Sequence, residues 1–511
     1  MRIGALDLGS NSFHLLVVEG RADGSFEALV REKEMLRLGD EVARRGAIGG
    51  ELADRAVEVV GGFRTLAEAA GAEELTAMAT AALREAANGG EVIDRLEVEA
   101  GVPVEVISGA REAELIFRAL RSSVVIEPSP ALALDLGGGS LEIMVGDATG
   151  LTWATSVRLG VGRLTAEVHD DPPSPADVDR VRQRVSTTLG RLAGVVADLG
   201  PKSLVGSSGT LCTLARMADA HRSGQVPASV NQLTVDRADL EAVHDRLLAL
   251  PAADRRRLPG LEASRAELIP AGSLLLLCAM DLFGLDQLTV SEWALREGMV
   301  LTAIGAHDPA DWGSDPGAIR EASVRSLCRR CGYGAEHAAH VARLAVTLFD
   351  RTRSLHRLGD QDRELLHYGA LLHDIGEHVS TEGHDRHTAY LILNGKLRGL
   401  TPDEINVLAC LGRFHRRGTP KAGYEAYDAL DARWRHRVVR LVALLRVADA
   451  LDRSHDSVVA DVHVELRRDQ VRLWPVASGE VTVARWALRR KGQLFEALFR
   501  RSLELLDAPD P

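Results

Sequence analysis

Short apolar runs alternate with longer amphipathic stretches along the first 305 residues. Apolar runs bounded by turn formers predict strands, and apolar residues at helical spacing predict helices. The predicted strands are 3–8, 13–19, 26–32, 75–79, 103–107, 131–136, 141–146, 151–158 and 203–206. The predicted helices are 51–70, 111–121, 175–199, 209–220, 264–283 and 291–304. The plan repeats, which predicts two α/β lobes, residues 1–125 and 126–305.

The pattern changes after residues 305–317, a segment rich in turn formers that predicts a linker. Residues 318–455 carry apolar residues at helical spacing and predict an all-α domain. Residues 456–511 predict a small α+β tail. The predicted tail elements are strands at 458–466 and 470–475 and a closing helix at 490–506.

One glycine-rich hairpin occurs twice. Asp7 ends an apolar strand before Gly9-Ser10-Asn11-Ser12, and Asp135 ends another before Gly137-Gly138-Gly139-Ser140. Small residues let the backbone turn sharply, so that successive N–H groups point at one anion. The adjacent aspartate can hold a divalent cation, which prefers oxygen ligands. Two copies predict two related halves that face each other across a cleft and grip a phosphate with its metal.

Composition narrows the class of protein. The net charge of −12 argues against a general binder of nucleic acid or of membrane surfaces, so a polyanionic ligand must meet a local basic patch. The longest apolar run, Leu274 to Met280 with its flanks, is broken by Asp281 and is too short for a membrane span. The chain enters its first strand at once, which argues against a signal peptide. Five scattered cysteines suit a reducing compartment, and we expect a cytoplasmic protein.

Six sequence blocks resemble, in order, those of the exopolyphosphatase/guanosine pentaphosphatase (Ppx/GppA) family, a branch of the actin, Hsp70 and sugar-kinase superfamily. The blocks are Asp7–His14, Thr80–Asn88, Ile107–Ala113, Asp135–Ser140, Gly206–Thr210 and Leu295–Gly298. The resemblance covers residues 1–305 strongly and continues more loosely to residue 455. It implies an α/β fold class, with two actin-like (ribonuclease H-like) lobes around a cleft. An all-α HD-type domain and the small α+β tail would follow.

The resemblance also implies roles for residues of the cleft. Glu112 follows a predicted strand end, where open α/β sheets form ligand crevices, and the matching glutamate of the family activates the attacking water. Glu142 matches a second carboxylate that helps to hold water or metal, and Asp7 and Asp135 are the expected ligands of Mg²⁺ or Mn²⁺. From the residues alone, Glu112 could instead stabilise a helix dipole, and Arg84 could be a surface arginine. The expected phosphate-binding residues are Gly9, Ser10, Asn11, Ser12, Arg84, Gly137, Gly138, Gly139, Ser140, Gly206, Ser207, Ser208 and Gly209.

A histidine and aspartate series in the helical segment resembles the signature of HD-type metal phosphohydrolases. The series is His337, His373, Asp374, His387, His415 and Asp449. Histidine and carboxylate together suit Mn²⁺, Fe²⁺ or Zn²⁺, so a second metal site is expected. Because long family members often keep this fold but lose ligands, a relic domain is the alternative. The basic residues around His415 are expected to form a track for polyphosphate, or else a solvated face, and are Arg413, Arg416, Arg417 and Lys421.

The expected function is an exopolyphosphatase that releases terminal orthophosphate from inorganic polyphosphate, with a homodimer as the expected assembly and no nucleic-acid or membrane partner. A guanosine pentaphosphatase, converting pppGpp to ppGpp, shares the motifs and is the alternative. The long C-terminal half favours the polymer, because a long chain needs a long channel. From another class, a non-hydrolytic alarmone-binding regulator would not need Glu112 and Glu142 together. A kinase would share every cradle residue.

Overall fold

A computed structural model describes residues 1–21, 25–126, 129–307 and 316–506. The chain divides into two compact units, Met1–Ile319 and Arg320–Pro511. The predicted linker, residues 305–317, is helical at both ends, and its middle, residues 308–315, lies outside the described residues. Within the described part, no helix is both long and apolar enough to cross a membrane.

The first unit alternates strands and helices in the order that the sequence predicts. Its strands are β1 (Arg2–Leu8), β2 (Ser12–Gly20), β3 (Phe26–Met35), β4 (Glu74–Ala79), β5 (Val104–Val106), β6 (Ala131–Leu136), β7 (Leu141–Gly146), β8 (Leu151–Val157), β9 (Ser203–Ser207), β10 (Leu233–Asp236) and β11 (Gln287–Val290). Its helices are α1 (Leu38–Arg45), α2 (Gly50–Ala69), α3 (Ala81–Glu85), α4 (Gly89–Glu99), α5 (Gly109–Arg121), α6 (Val161–Thr165), α7 (Pro175–Gly190), α8 (Ala193–Leu199), α9 (Ser208–Ser223), α10 (Arg237–Ala249), α11 (Ala252–Arg255), α12 (Ile269–Phe283) and α13 (Leu295–His307), with a 3₁₀ turn at Ala263–Arg265.

Two mixed sheets repeat one strand order. The first sheet runs β3-β2-β1-β4-β5, and the second runs β8-β7-β6-β9-β11 and adds β10 at its edge. In each sheet three antiparallel strands lead into parallel ones. Strands β6 and β7 are buried along their whole length, as expected for a sheet covered on both faces. The actin-like architecture of two related halves is confirmed.

Several boundaries in this unit differ from the predicted ones. Strands β10 and β11 are short and were not predicted. The predicted helix 264–283 begins only at Ile269, with proline in its first turn. The predicted helix 175–199 is interrupted between α7 and α8, and α7 begins at a capping box in which Ser174 and Asp177 bond each other's backbone N–H groups. Helix α13 packs on the first lobe, where Val300 shares a core with Ile3 and Leu115.

The second unit is helical and ends in a small sheet. Its helices are α14 (Pro316–Arg330), α15 (Ala335–Arg351), α16 (Arg353–His356), α17 (Asp360–Leu372), α18 (His384–Asn394), α19 (Pro402–Phe414), α20 (Glu425–Asp428), α21 (Ala432–Leu451), α22 (Thr482–Lys491) and α23 (Gln493–Phe499), with a 3₁₀ turn at Ile375–His378. Its strands are β12 (Val459–Leu466), β13 (Gln470–Ala477) and β14 (Ser502–Leu505).

The tail, residues 456–511, differs from its prediction in two ways. The predicted closing helix 490–506 is wrong at its end, because residues Ser502–Leu505 form β14, which pairs in parallel with β13. The tail also lies in the same compact unit as the helices. A single apolar core contains Val341 of α15, Val471 of β13 and Leu505 of β14.

Candidate active site

The two glycine-rich loops face each other across a cleft in the first unit. A Cβ atom added to Gly138 would lie 2.5 Å from Cγ of Asn11, and one added to Gly139 would lie 2.8 Å from Oγ of Ser10. Neither position has room for a side chain, so the close approach of the loops requires glycine there. Arg163 holds the second loop in place, since it donates to the Gly139 carbonyl at 2.8 Å and to Glu85 of the first lobe at 2.7 Å.

The cleft has a volume of about 520 Å³ and collects most of the predicted residues. The predicted residues that line it are Asp7, Gly9, Ser10, Asn11, Ser12, Glu112, Asp135, Gly137, Gly138, Gly139, Ser140, Glu142, Ser208 and Gly209. Three predicted phosphate-binding residues do not line it. Arg84 donates to the Ile107 carbonyl at 2.6 Å, Gly206 lies within β9, and Ser207 donates to Asp135 at 2.5 Å. Arg84 and Ser207 therefore contact other parts of the site from behind the cleft wall.

The strand registers place the acidic side chains. Asp7 pairs with His14 across the first hairpin, and Asp135 pairs with Glu142 across the second. The repeat thus puts His14 where its second copy has Glu142. His14 bonds Ser12 and Arg296 through its two ring nitrogens, at 2.7 and 3.2 Å. Burial, together with the charges of Arg296 and Lys33, lowers its pKa to about 2, so His14 is neutral.

The carboxylates of the cleft repel one another in a dry environment. Burial, opposed by the nearby charge of Arg296, raises the pKa of Asp7 to about 6, and burial raises that of Asp135 to about 6. Burial and the charge of Asp135 raise the pKa of Glu142 to about 7, although Ser156 donates to Glu142 at 2.7 Å. A set of buried carboxylates with raised pKa values is the donor set that a hard divalent cation requires. Asp7 and Asp135 therefore fit the predicted Mg²⁺ or Mn²⁺ site.

Glu112 enters the cleft from the first turn of α5. Ser108 caps this helix by accepting from the Arg111 N–H at 3.2 Å, which fixes where the turn begins. Burial and the charge of Glu142 raise the pKa of Glu112 well above its usual range, and Arg84, whose Nη1 lies 3.5 Å from the Glu112 carboxylate, opposes this shift. A glutamate that only stabilised a helix dipole would be exposed, whereas Glu112 is 7% exposed. Its position suits a proton acceptor at the reacting centre.

Sequence analysis missed the basic residues of the cleft. Arg31 and Lys33 line it from β3, Arg265 from the 3₁₀ turn and Arg296 from the start of α13. The Arg265 guanidinium lies against Gly209, where an added Cβ would come within 1.8 Å of it. These cations form the local basic patch that a polyanionic ligand of an acidic protein needs. Arg296 lies within one of the recognised blocks, and Arg265 had no motif to reveal it.

The predicted histidine and aspartate series is partly assembled in the second unit. His337, His373 and Asp374 form one group with ligand atoms within 4.8 Å of one another, and Asp374, His384 and His415 form another. His384 was not predicted, and His387, which was, belongs to neither group. Asp449 is buried and bonds the Lys491 ammonium group. In the predicted basic track, Arg413 bonds Asp385. Arg416, Arg417 and Lys421 are exposed.

Comparison with known proteins agrees with this architecture. The model of the Ppx/GppA phosphatase family matches residues 17–307, and that of the Ppx/GppA phosphatase domain III matches residues 319–489. The first match covers more than half of the 511 residues, so the chain belongs to the Ppx/GppA phosphatase family.

Individual relatives cover one or both units. Exopolyphosphatase 1 of Mycobacterium leprae is 35% identical over 327 residues, which are 64% of this chain and 94% of the relative. Guanosine-5'-triphosphate,3'-diphosphate pyrophosphatase of Aeromonas hydrophila is 28% identical over 446 residues, 87% of this chain and 86% of the relative. The crystal structure of an exopolyphosphatase from Cytophaga hutchinsonii shares 31% identity and a TM-score of 0.56, covering 60% of this chain and 98% of that one.

Proposed function

We propose that this protein is an exopolyphosphatase that hydrolyses the terminal phosphoanhydride bond of inorganic polyphosphate. The observation that carries the proposal is the placement of two buried carboxylates, Glu112 and Glu142, beside two facing phosphate loops in a basic cleft. A cleft that only bound phosphate would gain nothing from burying these charges, which repel the ligand. The relative and the solved structure named exopolyphosphatases support the same activity.

The chain's own residues supply positioning and proton transfer. Backbone N–H groups of the two loops and of the start of α9 would bind the terminal phosphates, and Arg265 and Arg296 would offset their charge. Glu112 would take a proton from water as the water oxygen bonds the terminal phosphorus. The bond from that phosphorus to the chain then breaks, and the shortened polyphosphate leaves. Asp7 and Asp135 would hold Mg²⁺ or Mn²⁺, which when bound would neutralise phosphate charge.

Guanosine pentaphosphate is the second candidate substrate, because the relative that covers both units of this chain is named as a pyrophosphatase of that nucleotide. The test compares phosphate release from long-chain polyphosphate and from pppGpp, side by side with Mg²⁺. We expect a higher kcat/KM for polyphosphate. A preference for pppGpp would support the second candidate, and binding of either ligand without phosphate release would support a non-hydrolytic regulator. A homodimer in the cytoplasm remains part of the proposal.

The exposed basic residues Arg416, Arg417 and Lys421 are proposed as a polyphosphate track, without Arg413, whose charge Asp385 compensates. Replacing all three by Gln should raise KM for long chains and leave KM for tripolyphosphate unchanged. It should also flatten the dependence of log KM on log salt by roughly 2, at about 0.7 per lost contact on a single strand. The control removes equal charge from exposed Arg453, Arg468 and Arg489 of the same unit. Equal effects on both substrates would identify a solvated face.

A further inference from the structure

Four buried histidines in the second unit direct the same ring nitrogen at one carboxylate. Nε2 of His415 and of His384 lie 3.1 and 3.2 Å from Oδ1 of Asp374. Nε2 of His373 and of His337 lie 3.3 and 3.8 Å from its other oxygen, Oδ2. The histidines come from separate elements, α15, the end of α17, α18 and the end of α19. The two oxygens of Asp374 therefore each face a different pair of histidines.

The other ring nitrogen of each histidine is held by an oxygen acceptor. Nδ1 of His337 donates to Asp452 at 2.7 Å. Nδ1 of the other three donates to backbone carbonyls, at 2.7 Å for His373 and His415 and 3.1 Å for His384. Because carbonyl and carboxylate oxygens only accept, Nδ1 carries the proton in every case. Each Nε2 then presents its lone pair to the cluster, which is the arrangement that prepares histidine for a metal.

These lone pairs lack the partners that burial demands. Nε2 of His337 and of His373 are buried and form no hydrogen bond, and the two residues are 8% and 0% exposed. Nε2 of His384 and of His415 face each other at 3.2 Å, although both Nδ1 atoms already donate elsewhere. A core histidine kept for packing would have its ring nitrogens satisfied, since an unsatisfied buried acceptor costs about 1–3 kcal/mol. A cation at each pair would satisfy all four.

We propose that this cluster binds two transition-metal ions bridged by Asp374. One ion would take His337, His373 and Oδ2 of Asp374, and the other would take His384, His415 and Oδ1. Imidazole nitrogen with carboxylate selects Mn²⁺, Fe²⁺ or Zn²⁺ over Mg²⁺. His384 therefore replaces the predicted ligand His387, and Asp449, which bonds Lys491, is not needed in either set. Three protein ligands for each ion leave positions open for a phosphate oxygen or water.

The test is metal content of the full-length protein. The protein is stripped with chelator, reloaded with Zn²⁺ in excess Mg²⁺, which occupies the oxygen-rich cleft, and then analysed for bound zinc. We expect two zinc ions per chain in the wild type and in the control His387→Ala, which changes a histidine on the same helix outside both groups. His337→Ala and His384→Ala should each retain one ion, and Asp374→Ala should retain none.

Two further readouts separate ligand loss from misfolding and from failure of the cleft. Mn²⁺-loaded wild type should show an exchange-coupled electron paramagnetic resonance spectrum, and His384→Ala a single-ion spectrum. Should His384→Ala fail to fold, His415→Asn replaces it. Phosphate release from tripolyphosphate reports the cleft of the first unit and should be retained by the His384 variant. One ion or none in the wild type, or a loss in His387→Ala equal to that in His384→Ala, would overturn the proposal.

Discussion

Replacing Glu112 with Gln is expected to lower the rate of phosphate release by about 10²–10⁴-fold, the usual loss when a general base is removed. The amide keeps the shape of the side chain at the first turn of α5 but cannot accept the proton of the attacking water. The buried negative charge is also lost, so binding of polyphosphate should be unchanged or tighter. The measurement is a single-turnover rate, with binding followed separately by displacement of a labelled chain.

The matched control for this variant lies two residues further along the same helix. Glu114 is exposed and pairs with Arg111 at the surface, so Glu114→Gln removes the same charge outside the cleft. Its rate should match the wild type, because an exposed ion pair contributes little. A Glu112→Gln variant that kept a rate within tenfold of the wild type would remove this residue from the proposed chemistry, whatever its effect on binding.

The repeat allowed much of the cleft to be predicted from the sequence. A backbone that approaches a phosphate needs small residues at fixed positions, so the two hairpins and their aspartates are visible as a spacing. The pairing of Asp135 with Glu142 also follows from that spacing, since both residues lie in strands joined by a short turn. The same alignment puts His14 opposite Asp7, a signal that was present but was not used.

Residues that reach a site from distant elements carry no such spacing. Arg265 enters the cleft from a one-turn 3₁₀ helix, and its place depends on how the chain folds back over Gly209. His384 and His387 lie three residues apart on α18, and a helix puts such residues on nearly the same face. Only the position of Asp374 distinguishes them. The strand β14 was missed because its sequence, Ser-Leu-Glu-Leu, is too short to show strand alternation clearly.

Asp135→Asn is expected to have opposite effects on activity and on stability. The variant loses a ligand of the proposed Mg²⁺ site, so phosphate release should require at least about 100-fold more Mg²⁺, the upper end of what even outer-shell losses cost. EDTA should likewise inactivate the wild type. The side-chain oxygen of Asn can still accept the hydrogen bond from Ser207, so the local structure should persist. Unchanged Mg²⁺ dependence would remove Asp135 from the metal site.

The effect on stability follows from the sign of the pKa shift. In the metal-free protein, burial raises the pKa of Asp135 from 3.8 to about 6, so the folded state holds this proton more tightly than the unfolded chain. The free energy of unfolding of the wild type therefore falls as the pH rises from about 4 to about 6, and the penalty persists above that range. A shift of this size corresponds to about 3 kcal/mol. In EDTA at pH 8 we expect Asp135→Asn to unfold at a higher temperature than the wild type.

Calorimetry at two pH values tests this expectation. The advantage of Asp135→Asn over the wild type should disappear near pH 4, where the wild-type carboxyl is protonated in the folded state. Saturating Mg²⁺ at pH 8 should reverse the order, because the cation compensates the carboxylates only in the wild type. Asp179→Asn changes an exposed aspartate whose side chain is 76% accessible, and it should show neither effect. A variant less stable than the wild type in EDTA at pH 8 would mean that another cation, such as Arg296, already compensates the charge of Asp135.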